Sequence, residues 1–519
     1  IPVGVTRIGA GAFRKTGTKG GIESVTFAGN NVTTIEDDAF HGSSLTSIII
    51  PAGVTNIGAR AFQDTFIKNI VIPSTMKNIG AGAFRTILPG RGVESVTFEA
   101  GSIIEIIDNE AFAGSLLTSI IIPDSTTRIG ENAFAQCLSL NLVTVNPSIL
   151  TPTKIDITSF TDCSSLTNIT LGLGTGPAES ITYAQMEHLF NITTEIKNIA
   201  MGANIASIGS SAFLGAVDIT SINIPENVTS IGVSAFRGCS SLQSINIPNN
   251  ITTINNFTFT DCLQLNTVNL GSNIEIIGEN AFQGCVGLTN IIIPTSVISI
   301  EKYAFEGCSG LDAVSFFVNT SRALTSVSTS VTSIGDNAFQ NCTELTTVDI
   351  SNTITSIGSY AFDGCILLNS VVFQATSTVL SIGSNAFNGC LVLPTIVIPD
   401  SVTSIGASAF GNCTLFNSIT ISPLLLTTIG IDSTAFVNST ALITVTLGLG
   451  SITSESITIT QINHLFFIAS LIKNLIVGSN ITSIGASAFQ NRGLISVTFE
   501  PGSTLTSIGD SAFNGCAVL

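Results

Sequence analysis

The chain has 519 residues, of which only 10% are charged, and its net charge is −17. Soluble domains ordinarily place roughly a quarter of their residues in the charged class, so Ser, Thr, Asn and Gly fill the polar positions here. With 17 Lys and Arg against 34 acids there is no basic stripe for phosphate recognition, and nucleic acid is excluded as an expected partner.

Read from its first residue, the chain repeats one phrase. The clearest copy runs from Ile222 to Pro248: it opens and closes on I-x-I-P and carries Val228, Ile231, Ala235-Phe236, Cys239 and Leu242 between. The key Phe, usually preceded by Ala, recurs at 19 positions from Phe13 to Phe513, mostly at intervals of 22 to 28 residues. One interval, around Phe317 to Val331, is 34 residues, and two are 53. A period of this size indicates a solenoid, each repeat being one coil that buries its apolar face only against its neighbours. The mean hydropathy of +0.54 reflects two buried segments per coil. No run of 18 apolar residues occurs, so no direct membrane insertion is expected.

Within a coil, the period of two in Leu242-x-x-Ile245-x-Ile247-Pro248 predicts a strand with Leu and Ile inward and Asn246 outward. Pro248 supplies no N–H to a ladder and ends it. Val228 and Ile231 predict a second extended segment, Gly232 a tight corner, and Ser234-Ala235-Phe236 a short helical or 3₁₀ piece with Phe filling the centre.

The two intervals of 53 each divide if Leu189 and Leu465 replace the key Phe, giving about 21 coils in one continuous solenoid over 1–519. These degenerate coils, near 175–201 and 451–477, lose the I-G-x-x-A-F phrase and predict a short helix turn in ITYAQMEHLFN and ITITQINHLFF. They match one another: Leu171-Gly172-Leu173-Gly174 with Leu447-Gly448-Leu449-Gly450, and His188-Leu189-Phe190 with His464-Leu465-Phe466, at an offset of 276 residues. A superrepeat of 11 coils is therefore expected. Ile1-Pro2 reads as the tail of a strand and Leu519 as the approach to another, so a segment of a longer chain, or one that stacks end to end, is expected.

The unit L-x-x-I-x-I-P-x-x-V-x-x-I-G-x-x-A-F-x-x-C resembles the BspA-like leucine-rich repeat family over essentially the whole chain. The resemblance implies an α/β-type, mainly β, right-handed leucine-rich-repeat solenoid with a parallel sheet. It also implies an extracellular or cell-surface molecule that adheres to host or cell-surface proteins. A structural part that assembles with copies of itself, end to end or laterally, into a fibre or particle surface is the alternative.

No catalytic constellation is legible. His41, His188 and His464 lie far apart, and no paired ligand spacing calls for a metal or other cofactor. The eleven cysteines follow the key Phe by three residues and predict a ladder of reduced core thiols, since side chains about 4.8 Å apart miss the Cβ separation a bridge prefers. Candidate glycosylation sequons stand at Asn31, Asn168, Asn191, Asn227, Asn250, Asn256, Asn319, Asn341, Asn412, Asn438 and Asn480. The candidate interaction face is the outward strand position, notably Ile49, Val71, Ile121, Asn223, Asn246, Asn269 and Ile292. It is nearly uncharged and has no aromatic residue, which suits a flat, weak but multivalent protein contact.

Overall fold

The computed structural model describes residues 1–17, 21–88, 90–172, 177–315, 317–318, 327–328, 330–448 and 455–519. They form a mainly β, parallel-sheet solenoid that divides into two compact units, Ile1–Ser230 and Ile231–Leu519.

In the first unit the strands Ser119–Ile121, Leu142–Val145, Asn168–Leu171, Asn198–Met201 and Ser221–Asn223 pair in parallel, with Ile120, Val143, Ile169, Ile199 and Ile222 in register. The second extended segment builds its own ladder through Ile8, Ile35, Ile57, Ile79, Ile107 and Ile129. The second unit repeats both constructions. Ser356–Ile357, Ser381–Ile382 and Ser404–Ile405 illustrate its short ladder, and Thr395–Val397 to Ser496–Phe499 its longer one. The 34-residue interval carries an antiparallel pair, Phe317–Val318 with Val327–Ser328.

Key Phe rings occupy the centre. Phe13, Phe40, Phe62, Phe84, Phe112, Phe134 and Phe160 form one run, with centroids 5.1 to 5.5 Å apart. Burial of each full side chain contributes roughly 1.5–3 kcal/mol, and stacking adds about 0.5–1.5 kcal/mol per pair.

The turn carrying the Phe is not the expected helical or 3₁₀ piece. Its N–H groups alternate between two destinations. Ala281, Gln283 and Cys285 donate within the coil, three residues back, whereas Asn280, Phe282 and Gly284 donate to Lys302, Ala304 and Glu306 of the next coil. A 3₁₀ run needs every N–H for itself, so stacking replaces it with successive turns. Two left-handed positions per coil follow, as at Asn280 (φ 56°) and Gly284 (φ 71°), where Asn and Gly are the least strained residues.

The degenerate coils hold more than a helix turn: α1 (Tyr183–Ile192) and α2 (Ile459–Ile468) are ten residues each. Each starts with a capping box, Thr182 with Gln185 and Thr458 with Gln461. Leu189 and Leu465 point inward and are buried, so they take the place of Phe in the core. Gly478 follows the next strand with its Cα against the Gly448 carbonyl, leaving no room for a Cβ. Within the matched Leu-Gly-Leu-Gly phrases, Leu173, Gly174, Leu449 and Gly450 lie outside the described residues.

Candidate interaction surface

Because inward and outward residues alternate along a strand, the middle residue of each I-x-I faces solvent. Ile49, Val71 and Ile121 are 86%, 52% and 56% exposed, and Ile292 is 67% exposed. Asn223, Asn246 and Asn269 are exposed as well. Asn269 Nδ2 donates to Asn246 Oδ1 at 2.6 Å, so these two amides satisfy each other as well as facing outward. Val71 stands beside Thr97 in register; the aliphatic residues are therefore interrupted by hydroxyls and do not merge into one oily strip.

Among the described residues, a groove of the same construction opens in this face in each unit. In the first unit a groove of about 400 Å³ is lined by Thr97, Phe98, Glu99, Ile121, Pro123 and Asp124. In the second, a groove of about 670 Å³ is lined by the matching Val372, Phe373, Gln374, Val397, Pro399 and Asp400. Each lies where the sheet is interrupted: Ser95–Phe98 and Ser119–Ile121 belong to separate sheets, as do Ser370–Phe373 and Thr395–Val397. In the second unit Pro394 precedes the strand and has no N–H to offer the previous coil.

Sequence reasoning places Val372 and Val397 among the outward strand residues by alternation but misses Phe98 and Phe373 as surface determinants. The signal of the two rings was present: V-x-F followed by Glu99 or Gln374 replaces I-x-I-P. The path from Phe98 to Ile104, and from Phe373 to Val379, is also longer than from Ile50 to Val54. The rings stay half-buried because a Phe does not fit the slot that an Ile fills. Glu99 Oε2 and Gln374 Oε1 then accept the N–H of Ser74 and Asn352, fixing the longer loop to the coil before it.

The three histidines are held by structural contacts. His188 Nε2 lies 3.0 Å from the Ile155 carbonyl oxygen, and His464 Nε2 lies 3.0 Å from that of Ile431. His41 Nδ1 is 3.0 Å from Asp38 Oδ1; the hydrogen bond from Arg60 is the main reason the Asp38 carboxyl falls to about 2. All eleven cysteines are free. Buried thiols donate to backbone carbonyls one coil back: Cys285 Sγ, for example, donates to the Phe259 carbonyl at 3.1 Å. Burial pushes the Cys308 thiol up to about 12, which suppresses the nucleophilic thiolate. Among the described residues, no group of three His, Cys, Asp or Glu is placed to hold a metal, and no helix is long and apolar enough to cross a membrane.

Of the sequons, Asn31, Asn191, Asn250, Asn256, Asn341, Asn412 and Asn438 are exposed, whereas Asn168, Asn227 and Asn480 are half-buried. Asn480 keeps both amide atoms away from solvent. Asn319 lies outside the described residues.

A leucine-rich repeat solenoid with an exposed parallel sheet is thus the class of protein defined here. The chain belongs to the BspA type Leucine rich repeat region family, whose profile matches residues 1–103, 105–243, 229–329, 313–443 and 380–519. Among solved structures it is similar to a leucine-rich repeat protein from Bacteroides ovatus: identity is 28%, coverage 61% of this chain and 81% of that one, and the TM-score 0.41. It is also similar to a leucine rich cell surface protein from Faecalibacterium prausnitzii, at 24% identity, 74% and 88% coverage and a TM-score of 0.34. A third is the pneumococcal vaccine antigen PcpA, at 17% identity, 94% and 96% coverage and a TM-score of 0.25. No curated protein matches the sequence.

Proposed function

We propose that this chain is an extracellular, surface-displayed adhesion module that binds host or cell-surface proteins through the outward sheet face, with the two grooves as its main anchoring points. The observation that carries this reading is the recurrence of one groove construction in both units, each flanked by solvent-facing aliphatic residues: Ile121 in the first, Val372 and Val397 in the second. Two equivalent sites on one chain supply avidity without a strong individual site. The face has few charges, so recognition rests on aliphatic contact and on hydrogen bonds to Thr and Asn.

The test coats beads with the chain and scores their retention by intact cells and by a panel of purified extracellular proteins. Val372→Lys with Val397→Lys, alone and combined with Ile121→Lys, places ammonium groups in the grooves without touching the core. Retention should fall stepwise, with the combined variant losing roughly tenfold or more. Undiminished retention by the combined variant, with an unchanged melting curve, would remove the sheet face from the reading.

A further inference from the structure

The surface of α2 differs from that of α1 in a way that points to a second copy of the chain. Gln461 Nε2 donates to the Pro423 carbonyl at 2.9 Å and His464 Nε2 meets that of Ile431 at 3.0 Å. These contacts lay the helix along the loop 423–431. Ile459, Asn463 and Phe467 then share the outer helix face, at successive spacings of four. Phe467 is 72% exposed, and Ile429 and Leu424, on the loop beneath, are 91% and 67% exposed; Ile459 and Leu471 are also exposed. In the first unit the corresponding residues, 276 earlier, are Asn191, Thr153, Ser148, Tyr183 and Glu195. The buried contacts are the same, yet the outer surface is polar in the first unit and apolar in the second.

We infer that this face of the second unit joins two copies of the chain through an isologous contact, Phe467 of one copy entering the hollow beside α2 of the other. That hollow, of about 150 Å³, is lined by Phe436, Asn438, Thr440, Leu442, Ile468 and Leu471, directly next to Phe467. A twofold axis near the helix C-terminus therefore brings both rings to both hollows. The five exposed aliphatic and aromatic side chains present on the order of 600 Å² of apolar surface, against roughly 800 Å² per partner in a standard interface. Charge permits a second copy here. The chain as a whole is strongly acidic, but α2 and the loop 423–431 contain no Asp, Glu, Lys or Arg, and the charge held against the outer helix face is that of Arg492, whose guanidinium donates to Asn463 and lies over the Phe466 ring. Two copies can therefore meet here without setting carboxylate against carboxylate, whereas Glu187 and Glu195 disfavour the same contact in the first unit. This contact is separate from the sheet face, and it requires Asn438 to be free of glycan.

The test is sedimentation of the unglycosylated 519-residue chain over a wide concentration range. A monomer–dimer equilibrium is expected. Replacing Ile429, Phe467 and Leu471 by the residues of the first unit (Ile429→Thr, Phe467→Asn, Leu471→Glu) should weaken it roughly tenfold or more, with no change in melting because all three side chains are exposed. Phe467→Cys should form a disulfide-linked dimer under mild oxidation, and the sheet-face pair Val372→Lys with Val397→Lys should dimerise normally. A wild-type chain that is monomeric throughout overturns the inference. So does a dimer that survives the triple substitution, or one lost in the sheet-face pair. Flotation of the monomer with phosphatidylcholine vesicles would reassign the face to lipid and overturn it equally.

Discussion

The described residues of 147–208 and 423–484 are one construction built twice: most of their internal contacts recur, whereas their outer faces differ. Both carry a 3₁₀ turn (Pro147–Ile149, Pro423–Leu425), an isolated bridge to the coil before (Ile129 with Ile155, Ile405 with Ile431) and a capped ten-residue helix. Both show the same register shift beside Glu179 and Glu455. The repetition extends to single bonds: Gln185 reaches the Pro147 carbonyl at 3.0 Å, as Gln461 reaches that of Pro423. A buried polar group without its partner costs more than the bond returns, which constrains the inside of both pieces. The outside carries no such cost, and there the first unit has Asn191 where the second has Phe467. The lesson is that the helix serves the core, whereas its outer face is free to acquire a contact.

The strongest way to break this agreement is at the close approach following the helix. Gly478→Ala would drive a Cβ into the Gly448 carbonyl, and backbone cannot yield as a side chain can. We expect a loss of about 3 kcal/mol or more, seen as a lowered urea midpoint or failure to fold. Next, Leu189→Ala and Leu465→Ala each empty a core position and should cost about 2–5 kcal/mol. Because both leucines are almost fully buried, the two losses should match; a large disagreement would mean that the two cores are not equivalent. Smaller again, Gln185→Ala and Gln461→Ala remove half of a capping box and one bond to the preceding coil. About 1–2 kcal/mol is expected for each, read as faster amide exchange in the first turn of the affected helix.

Much of this was legible in the sequence. The coil, its strand alternation, the buried thiols and the equivalence of Leu189 with Leu465 follow from spacing, because burial in a solenoid is periodic. The outward positions of Ile49 and Ile292 follow from the same alternation. The turn at Ala281-Phe282 does not, since local propensity cannot show that every second N–H is claimed by the next coil. The grooves at Phe98 and Phe373 escape a reading of spacing as well. They arise from a ring too large for its slot and a longer loop, a packing effect that no single coil displays. The length of α1 and α2 exceeds the expected helix turn because the capping boxes and the bonds to Pro147 and Pro423 support the first turn of each.

The smallest expected effect sharpens a buried polar difference at the edge of the two pieces, Asn146 against Ser422. In the first unit Asn146 Nδ2 donates to Asp124 Oδ1 at 3.1 Å. The matching residue of the second unit is Ser422, whose hydroxyl donates instead to Glu455 Oε1 at 2.9 Å. Asp400, equivalent to Asp124, thereby lacks an amide at that position, and Glu455 is buried with Oε2 unpartnered. Burial above all, and then the neighbouring Asp400 against the bond from Ser422, raise the Glu455 carboxyl above its ordinary range. A carboxyl raised on folding binds its proton more tightly in the folded chain, so stability is lost as pH rises from the ordinary glutamate range through the raised value. Below that window Glu455 is neutral in both states and carries no such penalty. Glu455→Gln should therefore stabilise the second unit by about 1 kcal/mol at neutral pH and by nothing measurable in acid. Amide exchange in Glu455–Ile457 at the two pH values reads this directly. Equal gains at both would mean that the carboxylate charge is not what distinguishes Ser422 from Asn146.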